Sequence, residues 1–337
     1  MRSPLFFRLC LGGGVLFLAA AYWLHVHQKR NLAALALFLS LSGLVLPVIF
    51  LVAPDPSSAP AGATQFQVDL LNQLVVDRRL AELASADMAK DPRRLSGHEA
   101  TIYSQSGEDG VIAEIFRRIG VTNRYFAEFG SGDGRENNTL LLLVAGWSGL
   151  WLEAHAEFVK TANETFRREV EEKRLVARQA FVTAENIEEL FRSANVPRSF
   201  DLLSIDIDRN DYWVWKAIQS YQPRAVVIEY NAVFPPGISW VVNYEPNSLW
   251  DGSSHFGASL TALERLARDK GYSLVGCNLL GSNAFFVRSE LTGSKFASPL
   301  TAENHFQPPR YYFAWYKGGH PRRVQTPGQV EHLQPSR

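Results

Sequence analysis

The sequence YFAEFGSGDGRENNT, residues 125–139, runs from a short apolar stretch into a glycine-rich turn and then into a polar segment. The apolar residues of 124–129 are typical of a buried strand, and the residues after the turn favour a helix over 136–145. The glycines of the turn occupy alternate positions: Gly130, Gly132 and Gly134. Because glycine has no side chain and tolerates positive φ, such a turn lets a ligand approach the backbone closely.

The same change from strand to helix recurs along the chain. Strand-like apolar runs are predicted at 124–129, 149–153, 174–182, 200–206, 224–230, 272–277 and 283–287. Amphipathic helices are predicted at 107–119, 136–145, 155–172, 185–194, 211–220 and 258–271. Strand and helix in alternation indicate a parallel sheet covered on both faces. Only residues 278–282 separate the last two runs, so the predicted α/β fold is a doubly wound, mainly parallel seven-stranded sheet whose last strand is antiparallel.

Two apolar segments precede this region. Residues 32–53 are 22 residues without a charge, which spans a hydrocarbon core of about 30 Å in helical form. Residues 9–24 are also uncharged, and they reach spanning length as 5–26 if the Arg8 side chain extends to the headgroups. We therefore predict a transmembrane hairpin over 1–53. A cleaved signal peptide is the alternative for the first segment.

The rest of the chain divides by composition. Residues 54–66 are rich in Pro, Ser and Ala and predict a linker, and residues 67–100 predict a helical lead-in. The alternating strands and helices place the main domain at 101–300. Residues 301–337 form an aromatic and basic C-terminal tail.

Charge and cysteine content narrow the range of functions. Lys plus Arg and Asp plus Glu both number 34, and residues 1–66 hold four basic residues and one acid, so the remainder is faintly acidic. A nucleic-acid partner is therefore not expected. Cys10 and Cys277 lie far apart and predict no disulfide framework.

Two acids flank the glycine turn in a pattern that predicts a cofactor. Glu153 ends the strand that follows the turn, where an acid accepts hydrogen bonds from ribose hydroxyls in nucleoside-binding folds. The turn differs by one residue from the dinucleotide fingerprint G-x-G-x-x-G, which argues against a bound pyrophosphate. Together with Glu128, these features suit S-adenosylmethionine, a cationic nucleoside, better than anionic NAD. The plainer alternative is a helix cap at Glu153 beside a tight turn.

Residues 103–291 resemble the FkbM-type family of class I S-adenosylmethionine-dependent methyltransferases, in its uncharacterised bacterial branch. The resemblance rests on YSQSGEDGVI, YFAEFGSGDGRENNT, GWSGLWLEA, LLSIDIDRNDYWVWKAI, VVIEYNA and GYSLVGCNLLGSNAFFVR. It implies that Glu128 and the glycines hold the methionine end of the cofactor and that Glu153 holds its ribose. The predicted cofactor-binding residues are Gln105, Glu128, Gly130, Ser131, Gly132, Gly134, Glu153 and Asp206.

The segment SIDIDRND places three acids after the predicted fourth strand: Asp206, Asp208 and Asp211. Strand alternation would direct Asp206 and Asp208 to one side of the backbone. Three interpretations remain open at this stage. Asp206 could bind the cofactor, Asp206 and Asp208 could hold a divalent cation through oxygen, or Asp208 or Asn210 could cap the next helix.

A long insertion, residues 231–256, follows the fifth strand and predicts a substrate lid. Its aromatic residues Trp240, Tyr244 and Trp250 are candidates to line a pocket. His255 is the imidazole best placed to act as a base, so the predicted catalytic residues are His255 and Asp208. Glu229 and Asn231, at the end of the fifth strand, are weaker candidates.

The sequence thus predicts a membrane-anchored S-adenosylmethionine-dependent methyltransferase acting on a hydroxyl of a saccharide or lipid-linked saccharide. The hairpin places it in the cytoplasmic membrane, with the catalytic domain on the cytoplasmic side where the cofactor is made. A divalent-metal-dependent O-methyltransferase is one alternative. The other is a membrane-tethered binding or scaffold module that has the same fold but no turnover.

Overall fold

A computed structural model of the chain describes residues 61–311 and 329–330. The predicted transmembrane hairpin, residues 1–53, lies outside this range, as do most of the predicted linker and of the C-terminal tail. Within the described part of the chain, no helix combines the length and the apolar character needed to cross a bilayer. The chain divides into two compact units, and the second, Val76–Arg337, contains the sheet and the site described below.

The main sheet has seven strands, at positions close to those predicted. They are β1 (Tyr125–Phe129), β2 (Ser148–Glu153), β3 (Leu175–Gln179), β4 (Ser199–Ile205), β5 (Gln222–Glu229), β7 (Tyr272–Cys277) and β8 (Asn283–Arg288). The remaining strands, β6 (Trp240–Val241) and β9 (Gln329–Val330), form a separate antiparallel pair. The strand order in the main sheet is β3-β2-β1-β4-β5-β8-β7.

Strand direction confirms the predicted mixed sheet. β1 to β5 are parallel, whereas β8 runs antiparallel to both β5 and β7. The strand order reverses at β1, which lies between β2 and β4. In doubly wound sheets, the crevice at this switch point, at the carboxyl ends of the strands, is where ligands bind.

Helices precede the first strand, connect the parallel strands and follow the last strand of the main sheet. They are α1 (Ala61–Met88), α2 (Glu108–Ile119), α3 (Leu140–Val144), α4 (Ala156–Thr165), α5 (Arg167–Glu171), α6 (Ile187–Ser193), α7 (Asp211–Ala217), α8 (Leu260–Asp269), α9 (Ser289–Thr292) and α10 (Ala302–His305), with a 3₁₀ turn at Ser96–His98. α1 begins inside the segment that was predicted as linker. The single helix predicted over 155–172 is two helices, because the chain leaves helical geometry at Phe166, whose ring packs edge-on against Trp151 at 5.1 Å.

Two apolar clusters cover the two faces of the sheet. Alternate residues of β1 divide between them: Ala127 and Phe129 join one cluster, and Phe126 joins the other with Trp151. Each of these side chains is fully buried. This arrangement is the reason that the strands read as continuous apolar runs, since a parallel sheet is buried on both faces.

A buried ion pair closes the opposite, amino-terminal edge of the sheet. The guanidinium of Arg224 donates to the Asp201 carboxylate at 3.0 Å and to two backbone carbonyls at the end of α2. Asp201 also accepts hydrogen bonds from the backbone N–H groups of Thr122, Asn123 and Arg124. Asp201 is therefore a structural residue of the edge that faces away from the switch point.

Candidate functional site

A cavity of about 850 Å³ opens at the carboxyl ends of β1, β4 and β5. Its wall includes the glycine turn after β1, the loop after β4 and the end of β5, together with residues from the lid and from the segment that leads into β8. The volume falls within the range of roughly 300–1,000 Å³ that is usual for small-molecule and cofactor sites. The cavity therefore lies where the topology predicts a ligand.

The three glycines of the turn differ in what surrounds them and in whether they line the cavity. Gly130 and Gly132 have φ of +70° and +55°, and both line the cavity. A Cβ at Gly130 would lie 1.7 Å from the backbone oxygen of Asp206, so glycine allows the loops after β1 and β4 to meet. A Cβ at Gly132 would meet no protein atom within 4 Å. Gly134 lies outside the wall, because its missing side chain makes room for Trp151 and Phe166.

Glu128 lies in the wall but is engaged by the protein. One carboxylate oxygen accepts from the backbone N–H of Asn138 at 2.9 Å, and the other accepts from the Thr139 hydroxyl. Burial raises the pKa of Glu128 to about 7, against these hydrogen bonds, which lower it. The carboxylate thus binds residues 138 and 139, and α3 begins directly after them, at Leu140 and not at the predicted residue 136.

Glu153 does not line the cavity itself. Its carboxylate accepts from the backbone N–H of Gly132 at 3.0 Å and from that of His155 at 2.8 Å. The residue is buried at the end of β2, directly behind the glycine turn. Burial, followed by the charge of Glu153, raises the pKa of Asp208.

A row of polar side chains crosses the neighbouring strands β4, β5 and β8. Ile205 pairs with Ile228 in the parallel register, so Asp206 follows β4 at the level of Glu229. Glu229 in turn pairs with Asn283 in the antiparallel register of β5 and β8. Asp206, Glu229 and Asn283 all line the cavity.

Asp208 joins this row through a turn. One carboxylate oxygen each of Asp206, Asp208 and Glu229 lies within 4.8 Å of the others. β4 ends at Ile205, so the strand alternation expected for Asp206 and Asp208 is not what brings them together. The chain instead turns at Asp208, whose φ is +64°, a conformation that aspartate tolerates better than most residues.

The helix-cap interpretation of Asp208 is wrong. The N-cap of α7 is Asn210, and no side chain caps this helix. The Asn210 amide donates instead to the backbone oxygen of Glu245 in the lid. Asp211, the first residue of α7, accepts from the backbone N–H of Ile207 and so closes the loop that carries Asp206 and Asp208.

The clustered acids influence one another's ionisation. Burial, followed by the charges of Asp208 and Asp211, raises the pKa of Asp206. Burial and the charge of Asp206 likewise raise the pKa of Glu229, and burial raises that of Asp208. Among the described residues, seven carboxylates line the cavity, namely Glu108, Glu128, Asp133, Glu136, Asp206, Asp208 and Glu229, against one cationic side chain, Arg135, which pairs with Asp133. The cavity therefore favours a positively charged ligand.

Two amides in the wall each have a buried polar atom without a hydrogen-bond partner among the described residues. They are the Nδ2 donor of Asn137 and the Oδ1 acceptor of Asn283. Both side chains line the cavity, and each is only 7% exposed. Because an unpaired buried polar group is costly, each of these atoms points to a ligand that completes it.

The lid contributes fewer aromatic residues than predicted. Trp250 lines the cavity, whereas Trp240 is buried in the core and stacked on Phe234 at 4.6 Å. The Tyr244 hydroxyl donates to Glu185, outside the cavity. Asn231 holds the lid, because its amide donates to the backbone oxygens of Ser254 and Phe256.

His255 is buried behind the wall. Its ring packs edge-on against Trp240 at 5.6 Å, and it is not among the residues that line the cavity, although its neighbour Phe256 is. The structure therefore brings Asp208, but not His255, to the cavity surface. A catalytic role for His255 remains a prediction from sequence.

The structure also adds residues that sequence reasoning did not single out. They are Glu108, Asn137, Phe158, Asn283 and Tyr311. Glu108 is buried in the wall and accepts from the side-chain amides of Asn278 and Asn283. The motif YSQSGEDGVI, which also contains the predicted Gln105, carried the only sequence signal for Glu108, whereas Asn283 stands at an ordinary strand start.

Among known proteins, the chain resembles solved structures only. No family model matches the chain, and no curated protein matches it. Solved structures that resemble it include an S-adenosylmethionine-dependent methyltransferase from Clostridium acetobutylicum, at 13% identity and a TM-score of 0.33 over 52% of this chain and 88% of the other. A SAM-dependent methyltransferase from Aquifex aeolicus is 10% identical, with a TM-score of 0.31 over 52% and 87% of the two chains.

A third solved structure is the N-terminal domain of EvdMO1 with SAH and D-fucose. It is 16% identical, with a TM-score of 0.35 over 63% of this chain and 95% of the other. Two of these three structures are thus S-adenosylmethionine-dependent methyltransferases, and the third contains SAH. At these identities and scores, the resemblance is not evidence for the reaction of this chain, which has to be inferred from the site.

Proposed function

We propose that this protein is a membrane-anchored S-adenosylmethionine-dependent O-methyltransferase of the FkbM type. Its acceptor would be a hydroxyl of a saccharide or lipid-linked saccharide. The observation that carries the proposal is the acidic cavity at the switch point of the sheet, built around a turn whose glycines leave the backbone accessible.

The residues of the cavity fit the cofactor in charge and in shape. S-adenosylmethionine carries a sulfonium and an ammonium, and the excess of carboxylates among the described residues of the wall favours such a ligand. Gly130 and Gly132 would lie against its methionine end. The unpaired Nδ2 of Asn137 offers a donor for its carboxylate group. Glu153 lies behind Gly132 and not in the wall, so its carboxylate would have to turn from the Gly132 N–H toward the cavity to accept from the ribose hydroxyls.

The bound cofactor supplies an electrophilic methyl group to the acceptor oxygen. Asp208 is the residue that we assign to receive the hydroxyl proton, because its carboxylate lines the cavity and burial raises its pKa. A base with a raised pKa accepts a proton more readily at neutral pH. The neighbouring Asp206 would position the acceptor hydroxyl.

The acceptor class is inferred from the residues that line the cavity and from the sequence. Trp250, Phe158 and Tyr311 supply aromatic surface in a wall that is otherwise mainly polar, which suits a ligand that is rich in hydroxyl groups and has apolar ring faces. The apolar segments of residues 1–53 support a lipid-linked acceptor and a location at the cytoplasmic membrane. Protease protection in inverted vesicles would report on which side the domain lies.

Calorimetric titration of the full-length protein in detergent tests the assignment. S-adenosylmethionine and S-adenosylhomocysteine should bind with one site per chain. ATP, which shares the adenosine but is anionic, should not bind. Absence of binding by both S-adenosylmethionine and S-adenosylhomocysteine would contradict the proposal and would favour a binding or scaffold module.

A further inference from the structure

The row formed by Asp206, Glu229 and Asn283 provides oxygen atoms on three adjacent strands at one level of the sheet edge. Asp208 reaches the same place from the loop after β4. These side chains come from separate parts of the chain, and the strand registers hold three of them side by side. The arrangement therefore differs from a run of acids along a single segment of the chain.

The distances within the cluster match a shared ion. One oxygen each of Asp206, Asp208 and Glu229 lies within 4.8 Å of the others. Two oxygens bound to one ion can be no further apart than twice the metal–oxygen distance. This upper limit is about 4.2 Å for Mg²⁺ and about 4.8 Å for Ca²⁺. The pairwise separations are thus compatible with one shared Ca²⁺, and side-chain rotations would bring the three oxygens to the shorter separations that Mg²⁺ requires.

Asn283 provides an independent sign of a ligand at this place. Its Nδ2 donates to the buried carboxylate of Glu108 at 2.8 Å, which directs Oδ1 the other way. This oxygen is buried, has no hydrogen-bond partner among the described residues, and belongs to a side chain that is only 7% exposed. A carbonyl oxygen is a ligand that hard cations accept, and Asn283 is the register partner of Glu229.

We propose that Asp206, Asp208 and Glu229, together with the Asn283 side-chain oxygen, bind a hard divalent cation. An all-oxygen set of this kind suits Mg²⁺, Mn²⁺ or Ca²⁺ and disfavours softer ions. The ion would offset much of the repulsion among three carboxylates that form no ion pair with a cationic side chain in the part of the chain that the structure describes.

The role of the ion rests on the proposed function. It would bind the acceptor hydroxyl as a further ligand and lower its pKa, while the hydroxyl proton passes to the Asp208 oxygen that does not hold the ion. The oxygen–methyl bond then forms as the sulfur–methyl bond of the cofactor breaks. The sulfur keeps the electron pair of that bond.

Binding of Mn²⁺ to full-length protein that has been stripped of metal tests the site. The electron paramagnetic resonance signal of free aqueous Mn²⁺ falls as the ion binds, so it counts bound ions without any need for turnover. We expect one Mn²⁺ per chain, displaced by excess Mg²⁺ or Ca²⁺. Asp208→Asn and Glu229→Gln should each weaken this binding by about tenfold or more, since each removes a charged ligand.

The matched control is Glu136→Gln, which removes a carboxylate from the same wall but outside the cluster. Asp208→Asn is the decisive variant, because asparagine tolerates the positive φ of this position and should leave the fold intact. Absence of Mn²⁺ binding, equal binding by Asp208→Asn, or equal loss in Glu136→Gln would each overturn the proposal.

Titration of the same metal-free samples with S-adenosylmethionine separates this inference from the proposed function. Cofactor binding without Mn²⁺ binding would refute only the metal site. Mn²⁺ binding that depends on Asp208 and Glu229, without cofactor binding, would refute the methyltransferase assignment and leave the metal site standing.

Discussion

The carboxylate of Glu153 accepts a hydrogen bond from the backbone N–H of Gly132 at 3.0 Å, which ties the end of β2 to the turn after β1. Glu153→Ala removes both this bond and the proposed ribose acceptor. We expect the Kd for S-adenosylmethionine to rise by about 10- to 100-fold, the effect of losing hydrogen bonds to a charged group. Isothermal titration calorimetry measures it. The control is Glu157→Ala, an exposed carboxylate in the first turn of α4, and equal affinities in both variants would remove Glu153 from the site.

Gly132 and Gly146 form a matched pair for testing the glycine turn. Both have positive φ, and a Cβ at either would meet no protein atom within 4 Å, but only Gly132 lines the cavity. Gly132→Ala and Gly146→Ala should each cost roughly 1–2 kcal/mol of stability through backbone strain. Only Gly132→Ala should also weaken cofactor binding, by about tenfold or more, because its methyl group occupies ligand space. Similar binding by both variants would mean that the cofactor lies elsewhere.

Asp208 and His255 are the two candidate bases, and their positions predict different results. Asp208 lines the cavity, whereas His255 packs behind the wall against Trp240. Once an acceptor is available, Asp208→Asn should lower kcat by about 10²- to 10⁴-fold. His255→Ala should lower kcat less than Asp208→Asn does. The opposite order would restore His255 as the base.

The buried carboxyl of Glu128 predicts a dependence of stability on pH. Burial raises its pKa from an ordinary value of 4.5 to about 7, so the folded state binds the proton more tightly than the unfolded state. The resulting stabilisation is complete below pH 4.5 and is lost as the pH rises through about 7. Burial raises the pKa of Asp211 to about 7 and that of Glu99 to about 8, which adds to the same trend.

Glu128→Gln isolates the contribution of this one group. The free energy of unfolding of the variant, relative to that of the unaltered protein, should increase between pH 5 and pH 8, because glutamine cannot ionise. Urea denaturation at several pH values measures this difference. A difference that stays constant across the range would show that Glu128 keeps an ordinary pKa.

The ion pair between Asp201 and Arg224 predicts a stability effect that is independent of the ligand. Asp201→Ala leaves a buried guanidinium and three backbone N–H groups without their acceptor. We expect a loss of about 3–5 kcal/mol in the free energy of unfolding by urea. Glu172→Ala, which removes the exposed partner of Arg168, is the control and should show no measurable change. A small loss in the free energy of unfolding of Asp201→Ala would mean that water reaches the amino-terminal edge of the sheet.

Much of the fold could be predicted because its signals are local. The apolar run before Gly130 and the short connection at 278–282 are sufficient to predict β1 and the antiparallel last strand, and both are present. The break at Phe166 could not be predicted, because it depends on the contact of this ring with Trp151, which is distant in sequence. The late start of α3 likewise depends on Glu128 binding residues 138 and 139.

The candidate site was predictable in part for the same reason. Gln105, Glu128, Gly130, Ser131, Gly132, Asp206 and Asp208 line the cavity as residues next to recognisable turns. Asn137 and Asn283 were not foreseen, because nothing in their own segments distinguishes them. His255 was placed at the cavity surface by its position in the lid alone, and packing against Trp240 put it behind the wall.

The amino-acid order alone determined the strands, the helices and the side-chain-free turn, because periodicity and backbone preference act over a few neighbouring residues. Tertiary structure decided which acids share a space. Asp206, Glu229 and Asn283 meet only because the registers of β4, β5 and β8 bring their strand ends to one level, and register depends on packing across the whole sheet.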